Sequence, residues 1–259
     1  MKQKVILISI DGMRPDGFLQ CGNPYVYDLM KRTTWTLDAQ TVMPSVTLPC
    51  HMSMFHSVPS SKHGITSYTY NPPNDPTIGL CEVLRQAGKT SAFFYSWEPL
   101  REVTRPLTLH YSCYRRIKSV DSSDTWLTDQ ALAYIETDHP DFVFLYMGDT
   151  DDIGGHKYGW MSPEYLNRIK VALDNVRRVI ETCGEEYSVV ITADHGGHDN
   201  THGTEMPVDM TIPMFFYGPV FPAGREIHGI SILDVAPTIA DVMQVPKASE
   251  WDGTSVLAK

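Results

Sequence analysis

Two rhythms of apolar positions alternate along the chain. Runs at residues 5–10, 35–42, 90–95, 142–147, 187–191 and 211–217 are rich in β-branched and aromatic side chains, several with hardly a polar break. Near-continuous apolar runs of this length are expected of strands buried on both faces of a parallel sheet. Between them, apolar residues recur three and four apart, which predicts helices over 24–32, 77–87, 124–137 and 232–243, the last interrupted near its start by Pro237. The longest helix is opened by Ser162 and Pro163, a cap followed by proline at the first helical position, and Gly184 stops it. Its Leu166, Ile169, Leu173, Val176, Val179 and Ile180 share one face, a packing stripe.

Strands alternating with helices predict an α/β fold of three layers, a mainly parallel sheet with helices on both faces. No repeat, linker or low-complexity tract divides residues 1–259, which read as a single domain. Residues 96–123 carry little periodicity and are expected to form a loop or lid near the site.

Composition narrows the choice of partners. A formal net charge of −10 argues against binding nucleic acid polymers, but not against a small phosphorylated substrate held through metal ions. The five cysteines are scattered and form no Cys-x-x-Cys, as expected of reduced thiols in a cytoplasmic protein. The apolar run after Lys4 is short for a signal peptide and leads straight into Asp11, so it reads as the first core strand. No stretch is long enough to span a membrane, and no membrane partner is expected.

Chemistry-bearing residues gather where the strands end. After the strand at 187–191 come Asp194, His195, His198 and His202, interspersed with three glycines. Carboxylates with neutral imidazoles suit zinc or a related first-row metal better than calcium or magnesium. Any one of these histidines alone would read as a surface residue. The whole cluster falls at the edge where open α/β sheets bind ligands. Asp11 ends the first strand, as a ligand or a helix cap. The strand at 142–147 leads into Asp149, Asp151, Asp152 and His156. Asp152 and His156 are four apart, so a single turn would aim both at one ion; Asp149 and Asp151 are weaker alternatives, and a solvated acidic loop is the rival reading. Thr47 lies two residues before Pro49, at or near a helix N-terminus, where it is either an ordinary cap or a group offered to an anion. Asp11, Asp152, His156, Asp194, His195 and His202 make six ligands, too many for one tetrahedral zinc and suited to two, with the Thr47 hydroxyl as the nucleophile for displacement at phosphorus.

These pieces resemble the alkaline phosphatase superfamily, nearest to its nucleotide pyrophosphatase/phosphodiesterase branch. Ile8-Ser9-Ile10-Asp11-Gly12, Thr47-Leu48-Pro49-Cys50-His51 with Lys62-His63-Gly64-Ile65, and Asp152-Ile153-Gly154-Gly155-His156-Lys157-Tyr158-Gly159 occur in family order. Ala193-Asp194-His195-Gly196, His202-Gly203 and Asp234-Val235-Ala236-Pro237-Thr238-Ile239 complete the set. The resemblance implies two divalent cations, expected to be Zn²⁺. Asp11, Thr47, Asp194 and His195 would hold one, and Asp152, His156 and His202 the other. It further implies a phosphodiesterase in which Thr47 is transiently phosphorylated, with His51 and His63 in supporting roles. His198 is left as a supporting or substrate residue, or as a competitor of His202.

Two departures concern the substrate. Leu48 stands where branch members that handle nucleotides carry an aromatic residue, and Tyr68 where they carry an asparagine, with Asn71 nearby. Arg14 and Lys157 are the basic residues adjacent to the motifs, and a phosphomonoesterase would need such a clamp. A phosphomonoesterase or phosphonate hydrolase is therefore the alternative reading, and an inactive metal-binding module the alternative of another class. A sulfatase is excluded, because the Thr47 segment lacks both the required first residue and an arginine.

Overall fold

In the computed structural model, which describes residues 4–73, 76–116 and 122–259, the chain builds one eight-stranded sheet. Its strands are β1 (Lys4–Ile10), β2 (Thr34–Gln40), β3 (Ser91–Tyr95), β4 (Tyr111–Tyr114), β5 (Phe142–Met147), β6 (Tyr187–Thr192), β7 (Thr211–Tyr217) and β8 (Arg225–Glu226). Their order is β4-β3-β5-β1-β6-β7-β2-β8. β4, β3, β5, β1 and β6 run parallel, and β7 runs against both β6 and β2. An apolar run does not encode strand direction, so the reversed β7 was not readable from its composition.

The helices are α1 (Pro15–Gln20), α2 (Tyr25–Arg32), α3 (Thr47–His56), α4 (Ser60–His63), α5 (Leu80–Gln86), α6 (Ser123–Asp138), α7 (Pro163–Cys183), α8 (Pro207–Met210) and α9 (Val235–Met243). One face of the sheet is covered by α1, α2, α6 and α7, the other by α3, α4, α5 and α9. The three-layer expectation holds. Ser162 caps α7 by accepting from the Tyr165 amide, with Pro163 in the first turn as expected.

Residues 96–123 are more ordered than their weak periodicity suggested. Glu98–Val103 forms a 3₁₀ turn and β4 pairs with β3 at the sheet edge; residues 117–121 lie outside the described residues. Residues 232–243 divide into a 3₁₀ turn and α9, because Ser231 and Asp234 form a capping box there.

Register brings the site together. Ile10 lies opposite Met147 and Ser9 opposite Thr192, so β5, β1 and β6 end at one level. The residues that follow them emerge side by side. On the covered face, Phe55 of α3 meets Phe144 with centroids 5.0 Å apart, and Phe93 meets Phe144 at 4.9 Å. Each such buried side chain contributes roughly 1.5–3 kcal/mol, and together they seat α3 against β3 and β5. All ten residues of α3 are buried, which fixes Thr47 at its first turn.

Candidate active site

At the head of β1, Gly12 adopts φ +67°, and a Cβ there would meet Asp151 Oδ1 at 3.0 Å. Glycine permits both the turn and the close approach. It also lets the Gly12 amide donate to Asp194 Oδ1 at 3.2 Å, while the His195 amide donates to the same oxygen at 3.0 Å. Asp194 Oδ2 is left facing inward. His195 Nε2 lies 3.3 Å from Asp11 Oδ1, 3.4 Å from Asp194 Oδ2 and 3.2 Å from the Thr47 hydroxyl. Four groups from three segments thus face one point.

A second group forms beside it. Asp151 Oδ2 is 3.4 Å from His156 Nε2, and its Oδ1 is 3.8 Å from His202 Nε2. The His195 and His202 rings stack at 3.9 Å, joining the two groups. Each of the three histidines donates its Nδ1–H to a backbone carbonyl: His195 to Gly196 at 2.8 Å, His156 to Asn200 at 2.9 Å and His202 to Ser45 at 2.9 Å. Those bonds fix the tautomers and leave every Nε2 as a lone pair aimed inward, the arrangement of metal-bound imidazoles.

The sequence-based ligand here is corrected. Asp151, not Asp152, reaches the imidazoles, because Thr150–Tyr158 is a π-helix. A π-turn brings residues i and i+5 onto one face, whereas the four-residue spacing of Asp152 and His156 assumed an α-turn. Asp152 instead lines the pocket beside the cluster.

The donor set fits divalent cations. Asp11 Oδ1, Asp151 Oδ1 and Asp194 Oδ2 are buried and accept no hydrogen bond. Burial raises the Asp11 and Asp194 carboxyls to about 7; burial and the neighbouring Asp11 and Asp194 charges push Asp151 well above its ordinary value. Burial lowers His195, and it brings His202 down to about 2, aided by the nearby imidazoles. Orphan carboxylate oxygens facing neutral imidazoles are what a cation would satisfy. Among the described residues, Asp11, Asp194 and His195 form one group with ligand atoms within 4.8 Å of one another, and Asp151, His195 and His202 form a second.

With this geometry in hand, comparison with known proteins is informative. The family described as type I phosphodiesterase / nucleotide pyrophosphatase matches residues 5–101 and 80–214. The chain belongs to that family. It lies within the alkaline phosphatase superfamily. A 2,3-bisphosphoglycerate-independent phosphoglycerate mutase of Haloquadratum walsbyi is 27% identical over 207 residues, covering 72% of this chain and 41% of the mutase. One from Clostridioides difficile is 26% identical over 140 residues, 51% of this chain and 27% of the mutase. The chain therefore spans less than half the length of these curated relatives. Murine ectonucleotide pyrophosphatase / phosphodiesterase 5, an inactive variant in complex with AMP, superposes with a TM-score of 0.79 at 14% identity, covering 97% of both chains. A phosphonate monoester hydrolase from Silicibacter pomeroyi gives 0.79 at 16% identity, over 98% of this chain and 76% of the hydrolase. At such identities these structures show a shared fold.

The remaining predicted residues of this phosphodiesterase-family chain divide sharply. Tyr68 reaches the site, its hydroxyl donating to His202 Nε2 at 3.3 Å. Leu48 does not: its side chain is wholly buried in the core, so it offers a substrate no surface. Asn71 is exposed and lines neither the pocket nor its neighbouring groove. Lys157 is exposed on the outer side of the π-helix, its ammonium 4.9 Å above the Tyr158 ring. His198 is outside both ligand groups and donates through Nδ1 to the buried Asp209 at 2.8 Å, bracing the loop. Arg14 pairs with Asp16 and donates to the Gly197 carbonyl at 3.0 Å. His51 is buried between the Thr47 carbonyl at 2.8 Å and the Ser9 hydroxyl at 3.0 Å, and burial lowers its pKa to about 4.

The sequence did not single out Tyr146 or Trp97. The Tyr146 hydroxyl donates to Asp11 Oδ2, and both side chains line the pocket. Alternation along β5 could have found Tyr146, whose polar tip is the exception in an apolar strand.

Proposed function

We propose that the chain is a metal-dependent phosphodiesterase that cleaves small phosphoesters through a phosphothreonine on Thr47, at a site for two divalent cations. The observation that carries this is the Thr47 hydroxyl at the first turn of a buried helix, 3.2 Å from His195 Nε2, inside a cavity of about 130 Å³. Asp11, Thr47, Asp194 and His195 would hold one cation, and Asp151, His156 and His202 the other. Zn²⁺ suits this mixture of imidazole and carboxylate. When bound, the cations would supply positive charge to the phosphoryl oxygens and acidify the hydroxyl.

The chain's own residues do the rest. Packing of α3 holds the Thr47 oxygen at the phosphorus, and the helix N-terminus favours the anion. The Thr47 oxygen forms a bond to phosphorus as the bond to the departing alkoxide breaks. Water then attacks the phosphothreonine, releasing a phosphomonoester and restoring the Thr47 hydroxyl.

Preference for a diester follows from charge. A monoester carries one more negative charge and calls for a cationic clamp. Among the described residues no lysine or arginine lines the pocket, Arg14 is committed to Asp16, and Lys157 points outward. The mutase and phosphonate hydrolase relatives favour the second reading, a phosphomonoester or phosphonate substrate. The five free cysteines support a reducing, cytoplasmic setting, and the net charge supports a small substrate over a nucleic acid polymer. No helix among the described residues is long and apolar enough to cross a membrane.

The test compares a bis-aryl phosphate diester with the aryl monoester on metal-loaded protein, with and without chelator. Acid-quenched reactions are digested and examined for phosphorylated Thr47. A chelator-sensitive diester preference with phosphate on Thr47 is expected. A monoester preference moves the assignment to the second reading, and turnover without any phosphothreonine removes the covalent step.

A further inference from the structure

Two hydroxyls in the pocket rest on imidazole nitrogens proposed to hold cations. The Thr47 hydroxyl lies 3.2 Å from His195 Nε2, and the Tyr68 hydroxyl 3.3 Å from His202 Nε2. The proposed reaction takes Thr47 off its nitrogen; the chemistry of His202 takes Tyr68 off as well. His202 gives its Nδ1–H to the Ser45 carbonyl at 2.9 Å, so Nε2 carries a single lone pair and Tyr68 is the donor to it. A zinc-type cation sits about 2.0–2.1 Å from such a nitrogen. One lone pair cannot serve both partners.

Tyr68 is the partner able to yield. The His202 side chain is 1% exposed, whereas Tyr68 keeps 50% of its surface exposed. Its ring leans edge-on against Trp97 at 5.9 Å. Trp97 lines both the pocket and the neighbouring groove of about 500 Å³, so Tyr68 stands at the mouth and not in the core. Its segment is tied to the helix of the nucleophile. His63 accepts the Ile65 amide at Nδ1, 3.1 Å away, and donates through Nε2 to Ser53 of α3 at 3.0 Å. Thr47 and Tyr68 line one pocket of about 130 Å³, so a phosphoryl group attacked by Thr47 lies within reach of the phenol.

We propose that the Tyr68 hydroxyl changes partners with the state of the site: it holds His202 Nε2 while the second ligand group is empty, and donates to a phosphoryl oxygen of the substrate once that group is filled. The proposal rests on the two-cation phosphodiester reading. A hydrogen bond to an anionic oxygen is about twice as strong as one between neutral groups, so the exchange favours substrate. A neutral donor suits the single charge of a diester, in a pocket that no lysine or arginine lines among the described residues. It also makes Tyr68 a weak competitor of the second cation, which neither a metal ligand nor a purely structural tyrosine would be.

Opposed shifts in one variant test this without relying on turnover. Tyr68→Phe keeps the ring and its packing on Trp97 and removes only the hydroxyl. Competition with a metal indicator should show one of two Zn²⁺ ions bound about two- to tenfold tighter than in wild type, the worth of a neutral hydrogen bond that no longer has to be displaced. Orthovanadate, titrated calorimetrically into protein loaded with both ions, should bind at least about tenfold weaker, the worth of a hydrogen bond to a charged group. Weaker binding of both zinc and vanadate would make Tyr68 a metal ligand or a structural support, and overturns the proposal. Unchanged values for both, or either shift without the other, overturn it too. If the opposed shifts appear but no diester is hydrolysed, the phosphodiesterase reading fails while the exchange stands. If diesters are hydrolysed through phosphorylated Thr47 and the shifts are absent, the exchange alone fails.

Discussion

Asp11 directly follows β1, and Asp194 and His195 come just past β6 after Ala193, the two being neighbouring parallel strands, whereas Asp151 and His156 sit on a π-helix. The strand-end side chains have 0–2% of their surface exposed; Asp151 has 10% and His156 39%. Ladder hydrogen bonds on both sides of β1 leave the first group no alternative position. The second depends on a support outside the sheet: Asp124 accepts from the Asp149 amide with both oxygens, at 3.2 and 3.3 Å, and Ser123 donates to Asp149 at 2.6 Å. One half of the site is thus held by the fold itself. The other takes His202 from the loop after β6, but its Asp151 and His156 are held by one unusual turn and its brackets, and it opens toward the groove. On the proposed reading, the nucleophile is anchored beside the rigid half and the substrate-facing half is the one that varies, which is how one fold would serve several esters.

The largest expected effect falls on the proposed nucleophile beside the rigid half. Thr47→Ala should lower diester turnover by roughly 10⁴-fold, the scale on which loss of a catalytic group is felt. Metal content should stay near normal, because the carboxylates and imidazoles of both halves remain. Steady-state rates with metal analysis check this, and retained turnover would place the chemistry elsewhere.

The rigid half should declare itself through pH. Asp11 and Asp194 are raised by burial from 3.8 to about 7 in the metal-free fold. Between those values the folded protein keeps on these two carboxyls protons that the unfolded chain has released, so their contribution to stability falls as pH rises through that window. The loss should be on the order of a few kcal/mol in metal-free protein, measured as urea midpoints from pH 4 to pH 7. Metal-loaded protein should show a much flatter profile, because the cation favours the ionised carboxylates. His51 and His202, lowered by burial to about 4 and about 2, act in the opposite sense over this window. The carboxyl contribution is therefore read as the difference in slope between wild type and the Asp11→Asn, Asp194→Asn double variant. No difference would mean the two carboxyls are not held protonated by burial.

The same division decides what could be read from the residues alone. Val5 to Ile10 announce a buried strand, so Asp11 was placed by an apolar run and a glycine. Thr47 was placed by Pro49, which a helix accepts only in its first turn. Asp194 and His195 followed from Tyr187 to Ile191 in the same way. The half on the π-helix was misread by one residue, because periodicity arguments assume regular turns and a π-helix adds a residue to the turn. The tandem of Asp151 and Asp152 before Gly154 and Gly155 was the available hint of an irregular turn. Leu48 was expected at the site and is buried, and Trp97, which was not singled out, lines the pocket, for a related reason: which face of α3 is buried, and where the chain goes after β3, are tertiary outcomes that no local pattern encodes.

The bracket of the second half offers a smaller, separable effect. Asp124→Asn keeps the shape of the side chain but offers the Asp149 amide one acceptor oxygen where there were two. Loss of such a support costs metal sites about 10–100-fold in affinity. Competition with a metal indicator should show one of two bound ions weakened and the other unchanged. Equal weakening of both would mean that the halves do not act separately.

The smallest effect is expected on the outer side of the same π-helix. Lys157 directly follows His156, yet its ammonium lies over the Tyr158 ring in solvent, away from the ligand groups. Surface substitutions of this kind stay within about 0.5 kcal/mol. Lys157→Ala should therefore change kcat/KM for diester and monoester alike by less than about twofold, a factor that corresponds to the same half kilocalorie. His156→Ala, one residue away, should cost metal and turnover together. This pair reads the orientation of the turn directly. If Lys157→Ala instead cut monoester turnover tenfold, the lysine would be the missing cationic clamp. The π-helix would then present a different side to the pocket, and the choice of Asp151 over Asp152 would have to be reversed with it.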